Sequence, residues 1–227
     1  MPDFTDLTTP LVADACVRAG LAPRIAPAGI RPVLAGTRLA GRVLPARHYG
    51  SVDVFLEAFG AAAPGDVLVV DNGGRTDEAC IGDLTVLEAA AAGVAGLVVW
   101  GLHRDTAELV EIARPVFSYG ALPLGPLRAD EREPGADVRF GPHVVTGGDL
   151  VVADDDGVLF LAADRADEIV AIARQIRGTE REQARKIRSG ETLRQQTVFD
   201  EYLRRRAADP QYTFRRHLRR VGGAIEE

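Results

Sequence analysis

Residues 67–105 read VLVVDNGGRTDEACIGDLTVLEAAAAGVAGLVVWGLHRD, and this stretch decides the fold. It contains two short apolar runs, at residues 67–70 and 94–101, of the kind that forms buried strands. Between them, residues 82–92 open with Gly-Asp, are rich in alanine and are followed by Gly93, which is typical of a helix. Strand, helix and strand in this order predict a right-handed parallel βαβ unit and therefore an α/β fold.

The flanking sequence continues the pattern on both sides. Apolar spacing upstream predicts a helix that begins after Thr8 and ends at Gly20, a strand over residues 37–47 and a helix over 51–62. Downstream we expect a helix through Ala113 and then short strands over residues 116–119, 137–145, 150–153 and 158–161. The C-terminal part predicts helices over residues 164–188 and 192–206, a break at Asp209-Pro210 and a short basic tail.

Length and composition exclude several classes of protein. The chain has 227 residues, 46% of them hydrophobic, which is enough for one substantial core and an appendage. The longest apolar stretch, residues 84–100, is interrupted by Glu88 and by glycines, so no membrane span is predicted. The first six residues are acidic and unlike a secretory signal, and Cys16 and Cys80 are expected to be reduced thiols. These features together predict a cytoplasmic protein.

Charge is distributed unevenly along the chain. The net charge is −6, yet residues 165–220 carry 15 basic and 8 acidic side chains. Arginines alternate with acids in this region, as in residues 177–182, and no aromatic stacking platform accompanies them. A solvated helix or a subunit contact has the same pattern, so we expect no nucleic-acid partner.

Asp83, Arg104 and Asp105 form the candidate site. Twenty residues separate Asp83 from Arg104, which is the length of one helix and one strand, so both should lie on the same rim of the sheet. Mg²⁺ prefers carboxylate oxygens, arginine matches a substrate carboxylate, and helix N-terminal amides add donors for an anion. The alternative is that Arg104 and Asp105 make only a surface ion pair that caps a helix.

The chain resembles the family of 4-hydroxy-4-methyl-2-oxoglutarate aldolases, which includes the regulator of ribonuclease activity A. The resemblance is carried by residues 71–74, 81–84, 93–105 and 147–158. The signature of the family, an aspartate followed after twenty residues by Arg-Asp, is present in full. It covers roughly residues 8–190. Leu102-His103 departs from the small or aliphatic residues usual before the arginine, and His103 is a further candidate for substrate contact.

The resemblance implies a three-layer swivelling β/β/α fold with a C-terminal helical extension. It also implies a homotrimer, or a hexamer of two such rings, with active sites between subunits. We therefore expect a catalytic domain over residues 1–163 and C-terminal helices with a basic tail over residues 164–227, packed on a neighbouring subunit.

The resemblance further implies a site that depends on Mg²⁺ or Mn²⁺. By position, Asp105 would ligate the metal, Arg104 would hold the carboxylate and oxo end of a 2-oxo acid, and Asp83 would orient a metal-bound water. The substrate pocket would be completed by Gly82, Asp83, Leu84 and Thr85. A glutamate from the C-terminal helix of a neighbouring subunit would reach this site, with Glu182 as the best match and Glu180 as the alternative.

The activity implied is a pyruvate aldolase that cleaves 4-hydroxy-2-oxo acids and also decarboxylates oxaloacetate. Aldolases without a metal use a lysine Schiff base, but Lys186 is the only lysine and lies in the arginine-rich segment, so the sequence favours the metal. The sequence lacks the G-x-G-x-x-G fingerprint, and this argues against a dinucleotide site. The competing hypothesis is a non-catalytic regulator that binds a ribonuclease partner through the basic C-terminal region.

Overall fold

A computed structural model of the chain describes residues 1–132 and 137–222. The described residues form two compact units: the first contains Met1–Pro10 and Pro23–Asp167, and the second contains residues 11–22 and those from 168 onward. The end of the predicted basic tail, residues 223–227, lies outside the described residues. Within the described ranges, no helix is both long and apolar enough to cross a membrane.

The observed elements follow the predicted order closely. The helices are α1 (Thr9–Arg18), α2 (Asp53–Gly60), α3 (Asp83–Ala91), α4 (Thr106–Ile112), α5 (Ala166–Arg188), α6 (Leu193–Gln196), α7 (Phe199–Ala208) and α8 (Phe214–Val221). The strands are β1 (Arg24–Ile25), β2 (Arg31–Pro32), β3 (Leu39–Arg47), β4 (Val67–Asp71), β5 (Ala79–Ile81), β6 (Gly96–Trp100), β7 (Leu102–His103), β8 (Val116–Ser118), β9 (Val138–Phe140), β10 (His143–Val145), β11 (Asp149–Asp154) and β12 (Gly157–Ala162). The short strands β1, β2, β5 and β7 were not predicted.

The main sheet has eight strands in the order β1-β12-β11-β3-β4-β6-β8-β2. Its centre is parallel, because β3 pairs with β4, β4 with β6 and β6 with β8 in the parallel sense. The outer strands pair antiparallel, β2 with β8 on one side and β3, β11, β12 and β1 in succession on the other. The parallel βαβ unit predicted from residues 67–105 is confirmed.

Both faces of the central strands are covered. Leu68 and Val70 of β4 pack into one core with residues of α2 and α3, such as Phe55 and Val86. Val67 and Val69 of β4 pack into a second core, which is closed by residues of β8, β9, β11 and β12. The first unit therefore has a helical layer, a sheet and a second β layer, which confirms the β/β/α fold. Burial on two faces explains why β4 is a continuous apolar run rather than an alternating one.

Two predictions for the C-terminal region are wrong. Residues 192–206 form two helices, because Val198 adopts a left-handed φ of 47° between α6 and α7. The carbonyl oxygen of Thr197 at this break accepts a hydrogen bond from the buried His217 Nε2 at 2.7 Å. His217 lies on α8, where a basic tail was predicted, and its ring contacts Tyr202, Tyr212 and Phe214. Aromatic packing within the second unit thus explains both differences from the predicted structure.

Candidate active site

The candidate site lies where two parallel strand pairs end. β4 pairs with β6 up to Asp71 and Trp100, and just beyond them β5 pairs with β7 in the same sense. The backbone N–H of Arg104 donates to the carbonyl oxygen of Ile81 at 3.0 Å. Residues 82 and 104 therefore follow neighbouring strand ends, although twenty residues separate Asp83 from Arg104 in sequence.

Gly82 lies so close to Arg104 and Asp105 that a side chain would not fit. A Cβ atom at this position would lie 2.3 Å from Asp105 Oδ2 and 3.1 Å from Arg104 Nε. The backbone of Gly82 is extended, with a φ of −147°, so the requirement for glycine here is one of space. The glycine lets the Arg-Asp pair approach the first residue of α3.

Asp105 has a strained backbone that directs its carboxylate away from its own helix. Its φ of 59° is left-handed, which is uncommon for a residue other than glycine. Asp105 occupies the N-cap position of α4 but makes no side-chain cap there. Its Oδ2 instead accepts the Asp83 backbone N–H at 3.3 Å and lies 3.2 Å from Arg104 Nε. The ion pair of the alternative interpretation is present, but the helix cap is not.

The first turn of α3 contributes a second carboxylate, that of Asp83, and backbone donors that are partly engaged. Gly82 at its N-cap has no side chain, and no side-chain cap is formed. The Asp83 carboxylate accepts the Leu84 backbone N–H at 2.7 Å through Oδ1. The amides of Asp83 and Leu84 are thus bonded to carboxylates, and the Thr85 amide is the one of the first three that is left for an anion beside the Arg104 guanidinium.

A cleft of about 350 Å³ opens beside these groups. Five of the predicted site residues line it, namely Gly82, Asp83, Leu84, Thr85 and Arg104. Asp105 does not line the cleft itself but contacts Arg104 and the start of α3. The other lining residues are Val52, Phe55, Leu56 and Phe59 on or next to α2, Ala79, Cys80 and Ile81 on β5, Glu88 on α3, and Pro126.

The wall that contains Pro126 is held by a buried polar network that sequence reasoning missed. Arg128 donates to Glu78 Oε1 through Nε at 2.8 Å and to Asn72 Oδ1 through Nη2 at 2.8 Å. The same Nη2 donates to the His48 carbonyl oxygen at 3.2 Å. Asn72, Glu78 and His48 are all buried, and the His48 ring stacks on Phe55 of the cleft wall. Asn72 lies in the quoted 71–74 motif, but no signal pointed to Arg128.

His103 faces away from the cleft. Its Nδ1 lies 2.7 Å from Ser118 Oγ and its Nε2 lies 3.1 Å from Thr106 Oγ1, so both ring nitrogens are engaged. Burial lowers the pKa of His103, against an opposing effect of Asp105. A neutral, hydrogen-bonded ring indicates a structural role in positioning β7 rather than a contact with substrate.

Glu182 belongs to the second unit, on α5. It is exposed and paired with Arg185, whose Nη2 lies 2.6 Å from Glu182 Oε1, and this hydrogen bond lowers the pKa of Glu182. Burial and the nearby Asp14 raise the pKa of Glu180. That either glutamate reaches the site of a neighbouring subunit stays a prediction.

The rim residues fit a hard divalent cation. Among the described residues no three His, Cys, Asp or Glu side chains cluster as a complete metal site. Mg²⁺ needs only one or two carboxylates and keeps waters, and Asp105 can supply an oxygen ligand of that kind while Asp83 can accept a hydrogen bond from a metal-bound water. The sulfur of Cys80 is nearby but buried, and burial raises the pKa of its thiol to about 12. A metal that prefers thiolate ligands would therefore bind weakly here.

The chain matches the sequence model of the RraA-like family, described as Aldolase/RraA, over residues 9–160. A protein of Deinococcus radiodurans named "Putative 4-hydroxy-4-methyl-2-oxoglutarate aldolase" is 32% identical over 164 residues, which cover 72% of this chain and 99% of the relative. A protein of Alcanivorax borkumensis with the same name is 34% identical over 103 residues, which cover 45% of this chain and 64% of the relative.

The fold is also found among solved structures. The crystal structure of RraAS2 of Streptomyces coelicolor, described as an unusual member of the RNase ES inhibitor RraA protein family, is 27% identical. It superposes with a TM-score of 0.69 and covers 79% of this chain and 96% of that one. Sequence and structure comparisons therefore agree on one family.

Proposed function

Because the chain belongs to the RraA-like family, described as Aldolase/RraA, we propose that it is a pyruvate-releasing lyase. Its substrates would be 4-hydroxy-2-oxo acids, of which 4-hydroxy-4-methyl-2-oxoglutarate is the reference member, and its cofactor Mg²⁺ or Mn²⁺. The observation that carries the proposal is the meeting of Arg104, Asp105 and the start of α3 beside one cleft.

Arg104 would hold the C1 carboxylate of the substrate. It contacts Asp105 through Nε at 3.2 Å and its side chain is 49% exposed, so the outer edge of the guanidinium can face the cleft. Arginine binds a carboxylate through two parallel hydrogen bonds, which fixes the plane of the substrate. The Thr85 backbone N–H, in the first turn of α3, would add a donor beside the 2-oxo group.

Cleavage would break the bond between C3 and C4. The C4 hydroxyl gives up its proton, C4 becomes a carbonyl carbon, and the electron pair of the broken bond forms the enolate of pyruvate. The Asp83 carboxylate, which lines the cleft, would accept the hydroxyl proton directly or through a water. A proton returned to C3 completes pyruvate. Arg104 stabilises the negative charge that develops on the enolate oxygen.

Asp105 would hold the cation, with Asp83 orienting a water at the same site and Glu182 supplied by a neighbouring copy in a trimer or hexamer. When bound, Mg²⁺ or Mn²⁺ supplies a Lewis acid that polarises the 2-oxo oxygen. Loss of carbon dioxide from oxaloacetate leaves the same pyruvate enolate. We therefore propose oxaloacetate decarboxylation as a second activity of this site.

The test is pyruvate release from 4-hydroxy-2-oxo acids by protein that has been treated with a chelator. We expect little turnover until Mg²⁺ or Mn²⁺ is restored, and parallel recovery of oxaloacetate decarboxylation. Equal rates with and without the metal would contradict the proposal, as would the absence of any pyruvate from the metal-loaded protein.

A regulatory role is the second candidate. It is supported by the description of the Streptomyces coelicolor protein as a member of an RNase inhibitor family and by the excess of arginine in residues 165–220. A regulator would bind a ribonuclease whether or not Arg104 is intact. Inhibition of a ribonuclease by Arg104→Ala protein, with no metal-dependent turnover by the unsubstituted chain, would favour this role over catalysis.

A further inference from the structure

We infer that Gly125 is a positioning residue for the substrate: because it has no side chain, the Arg104 guanidinium can present Nη1 and Nη2 together to the substrate carboxylate. The inference rests on the proposed lyase function and adds a residue that acts through Arg104. It follows from the contacts that the loop of residues 121–128 makes with the guanidinium and with the strands beside it.

Gly125 lies against the end of the Arg104 side chain. A Cβ atom at Gly125 would lie 3.1 Å from Arg104 Nη1, which is tighter than most contacts of a real Cβ atom. Apart from the two chain neighbours of Gly125, no other atom of the described residues lies within 4 Å of that position. The φ of Gly125 is outside the left-handed region, so glycine is needed here for space and not for its backbone conformation.

The loop that carries this glycine is tied to the strands that carry Arg104. The Leu122 backbone N–H donates to the carbonyl oxygen of His103 in β7 at 2.9 Å. The Leu124 carbonyl oxygen accepts the backbone N–H of Ala79 in β5 at 2.8 Å. Arg104 itself follows β7 directly and is bonded to β5. Because both backbones are held by the same two strands, a side chain at the next loop position would displace the guanidinium rather than the loop.

The contact with Asp105 decides which edge of the guanidinium is left for the substrate. A guanidinium can bind a carboxylate along the edge of Nε and Nη2 or along the edge of Nη1 and Nη2. Nε lies 3.2 Å from Asp105 Oδ2, so the first edge faces Asp105. The substrate carboxylate therefore takes the second edge, whose Nη1 lies next to Gly125. Arg104 and Pro126, the residue after this glycine, both line the cleft.

Two glycines thus determine how the guanidinium is oriented. A Cβ atom at Gly82 would lie 3.1 Å from Nε, the same distance as that from Gly125 to Nη1. Two parallel hydrogen bonds to a carboxylate require the guanidinium plane to be held in one orientation. A methyl group at Gly125 must push Nη1 aside by a few tenths of an ångström. That movement turns a donor away from the carboxylate and leaves the positive charge in place.

The experiment measures oxalate, a planar analogue of the pyruvate enolate, by calorimetry on the full chain with Mg²⁺ present. Gly125→Ala should raise the Kd for oxalate about tenfold and lower kcat/KM for pyruvate release by a similar factor. The melting temperature should change little, because the methyl group meets only the end of a half-exposed side chain. Gly147→Ala is the matched control, since a methyl group there meets only the Val43 carbonyl oxygen at an ordinary 3.9 Å. It should leave oxalate binding unchanged.

A double-mutant cycle with Arg104→Lys shows whether Gly125 acts through the guanidinium. Lysine keeps the positive charge but has no Nη1. In Arg104→Lys protein, adding Gly125→Ala should therefore change oxalate binding less than about twofold, although it costs about tenfold when the arginine is present. A residue that only stabilised the loop would give the same loss with either cation.

Gly125→Asp and Gly125→Asn compare a charged and a neutral side chain of the same shape at this edge. The aspartate carboxylate would pair with Nη1 and compete with the ligand, whereas the asparagine amide carries no charge. Gly125→Asp should weaken oxalate binding by at least about tenfold more than Gly125→Asn does.

The outcomes separate this inference from the lyase function. Equal losses from Gly125→Ala in the Arg104 and Arg104→Lys proteins, or unchanged oxalate binding in Gly125→Ala protein, would overturn the inference. If pyruvate release is retained in those cases, the lyase function stands. A loss of oxalate binding that depends on Arg104, without pyruvate from any 2-oxo acid, would support the role of Gly125 and overturn the lyase function.

Discussion

Two groups of residues within the first unit are each built around charged side chains, and they differ in how fully those charges are buried and paired. The rim group, Gly82, Asp83, Arg104 and Asp105, follows the ends of β5 and β7. The network group, His48, Asn72, Glu78 and Arg128, is built around the ends of β3 and β4. In the rim group, Arg104 and Asp105 remain 49% and 33% exposed and Asp105 has a left-handed backbone. In the network, Glu78 is 4% exposed and is contacted by arginine.

The difference indicates that the rim group binds a ligand and that the network group stabilises the fold. Partly exposed charges on a strained backbone are typical of groups that bind a ligand. Charges that are buried and paired with one another hold a structure in one arrangement. We therefore expect substitutions in the rim to affect catalysis and substitutions in the network to affect stability.

Arg104→Ala should have the largest effect. Loss of a charge-assisted contact that strengthens in the transition state should lower kcat by about 10²–10³. The melting temperature should change little, because the Arg104–Asp105 pair is substantially exposed. Arg38→Ala is the control, since Arg38 is exposed outside the active-site cleft and donates to the Thr5 carbonyl oxygen at 3.1 Å. A large loss of stability with Arg104→Ala would remove the distinction between the two groups.

Arg128→Met should have the opposite effect, which is a loss of stability rather than of catalysis. Glu78 would lose its 2.8 Å partner and keep Arg75 Nε at 3.5 Å, so the free energy of unfolding should fall by about 2 kcal/mol, which is less than for a fully buried pair that loses its one partner. Denaturant unfolding measures this change. Arg132→Met on the same loop is the control and should have little effect, because its pair with Glu57 is exposed.

Replacing both partners sharpens the test. Arg128→Met combined with Glu78→Met removes the stranded carboxylate and should recover part of the lost stability. Stability losses that simply add would show that the two residues act independently and that no network exists.

Gly82→Ala tests how tightly the rim is packed. Its methyl group would lie 2.3 Å from Asp105 Oδ2, so Asp105 and Arg104 must move. We expect kcat/KM to fall about tenfold, since misplaced catalytic groups are costly. Gly60→Ala provides a control, because a methyl group there meets no atom within 4 Å. Unchanged activity in Gly82→Ala protein would mean that the position of the Arg-Asp pair does not matter.

The rim could be predicted from sequence because topology alone brings its residues together. Asp83, Arg104 and Asp105 belong to one βαβ unit, and parallel strands end at the same edge. The strained φ of Asp105 and its contact with α3, in contrast, depend on the absence of a side chain at Gly82 and could not be read from spacing.

The network and the C-terminal helices could not be predicted. Arg128 and Glu78 are 50 residues apart, and Arg128 lies in a loop without periodicity. α8 has a strongly basic sequence that resembles a solvated tail, but His217 and Leu218 are buried in it. Long-range partners outweighed local patterns in both cases.

Lowering the pH should reduce the stability of the fold, because two buried histidines would have to become charged. Burial lowers the pKa of both His48, in the network, and His103, behind the rim, below the ordinary 6.5. The unfolded chain then binds more protons than the folded one, so stability is full above pH 6.5 and declines as the pH falls through the lowered values. Unfolding measured across this range should show the slope. His48→Gln combined with His103→Gln should flatten it, and an unchanged slope would assign it to other groups.

The smallest effect is expected at Cys80, which lies on the floor of the cleft between the two groups. Its thiol is 3% exposed, its sulfur lies 3.8 Å from the Leu102 carbonyl oxygen, and burial raises its pKa to about 12. Only about 10⁻⁴ of it would be thiolate at about pH 8, so alkylation of the native protein by iodoacetamide should be very slow and should accelerate sharply on unfolding. Peptide mass analysis distinguishes Cys80 from Cys16. Rapid native labelling of Cys80 would show that the floor opens, and the rigidity attributed to the network would then not extend to the cleft.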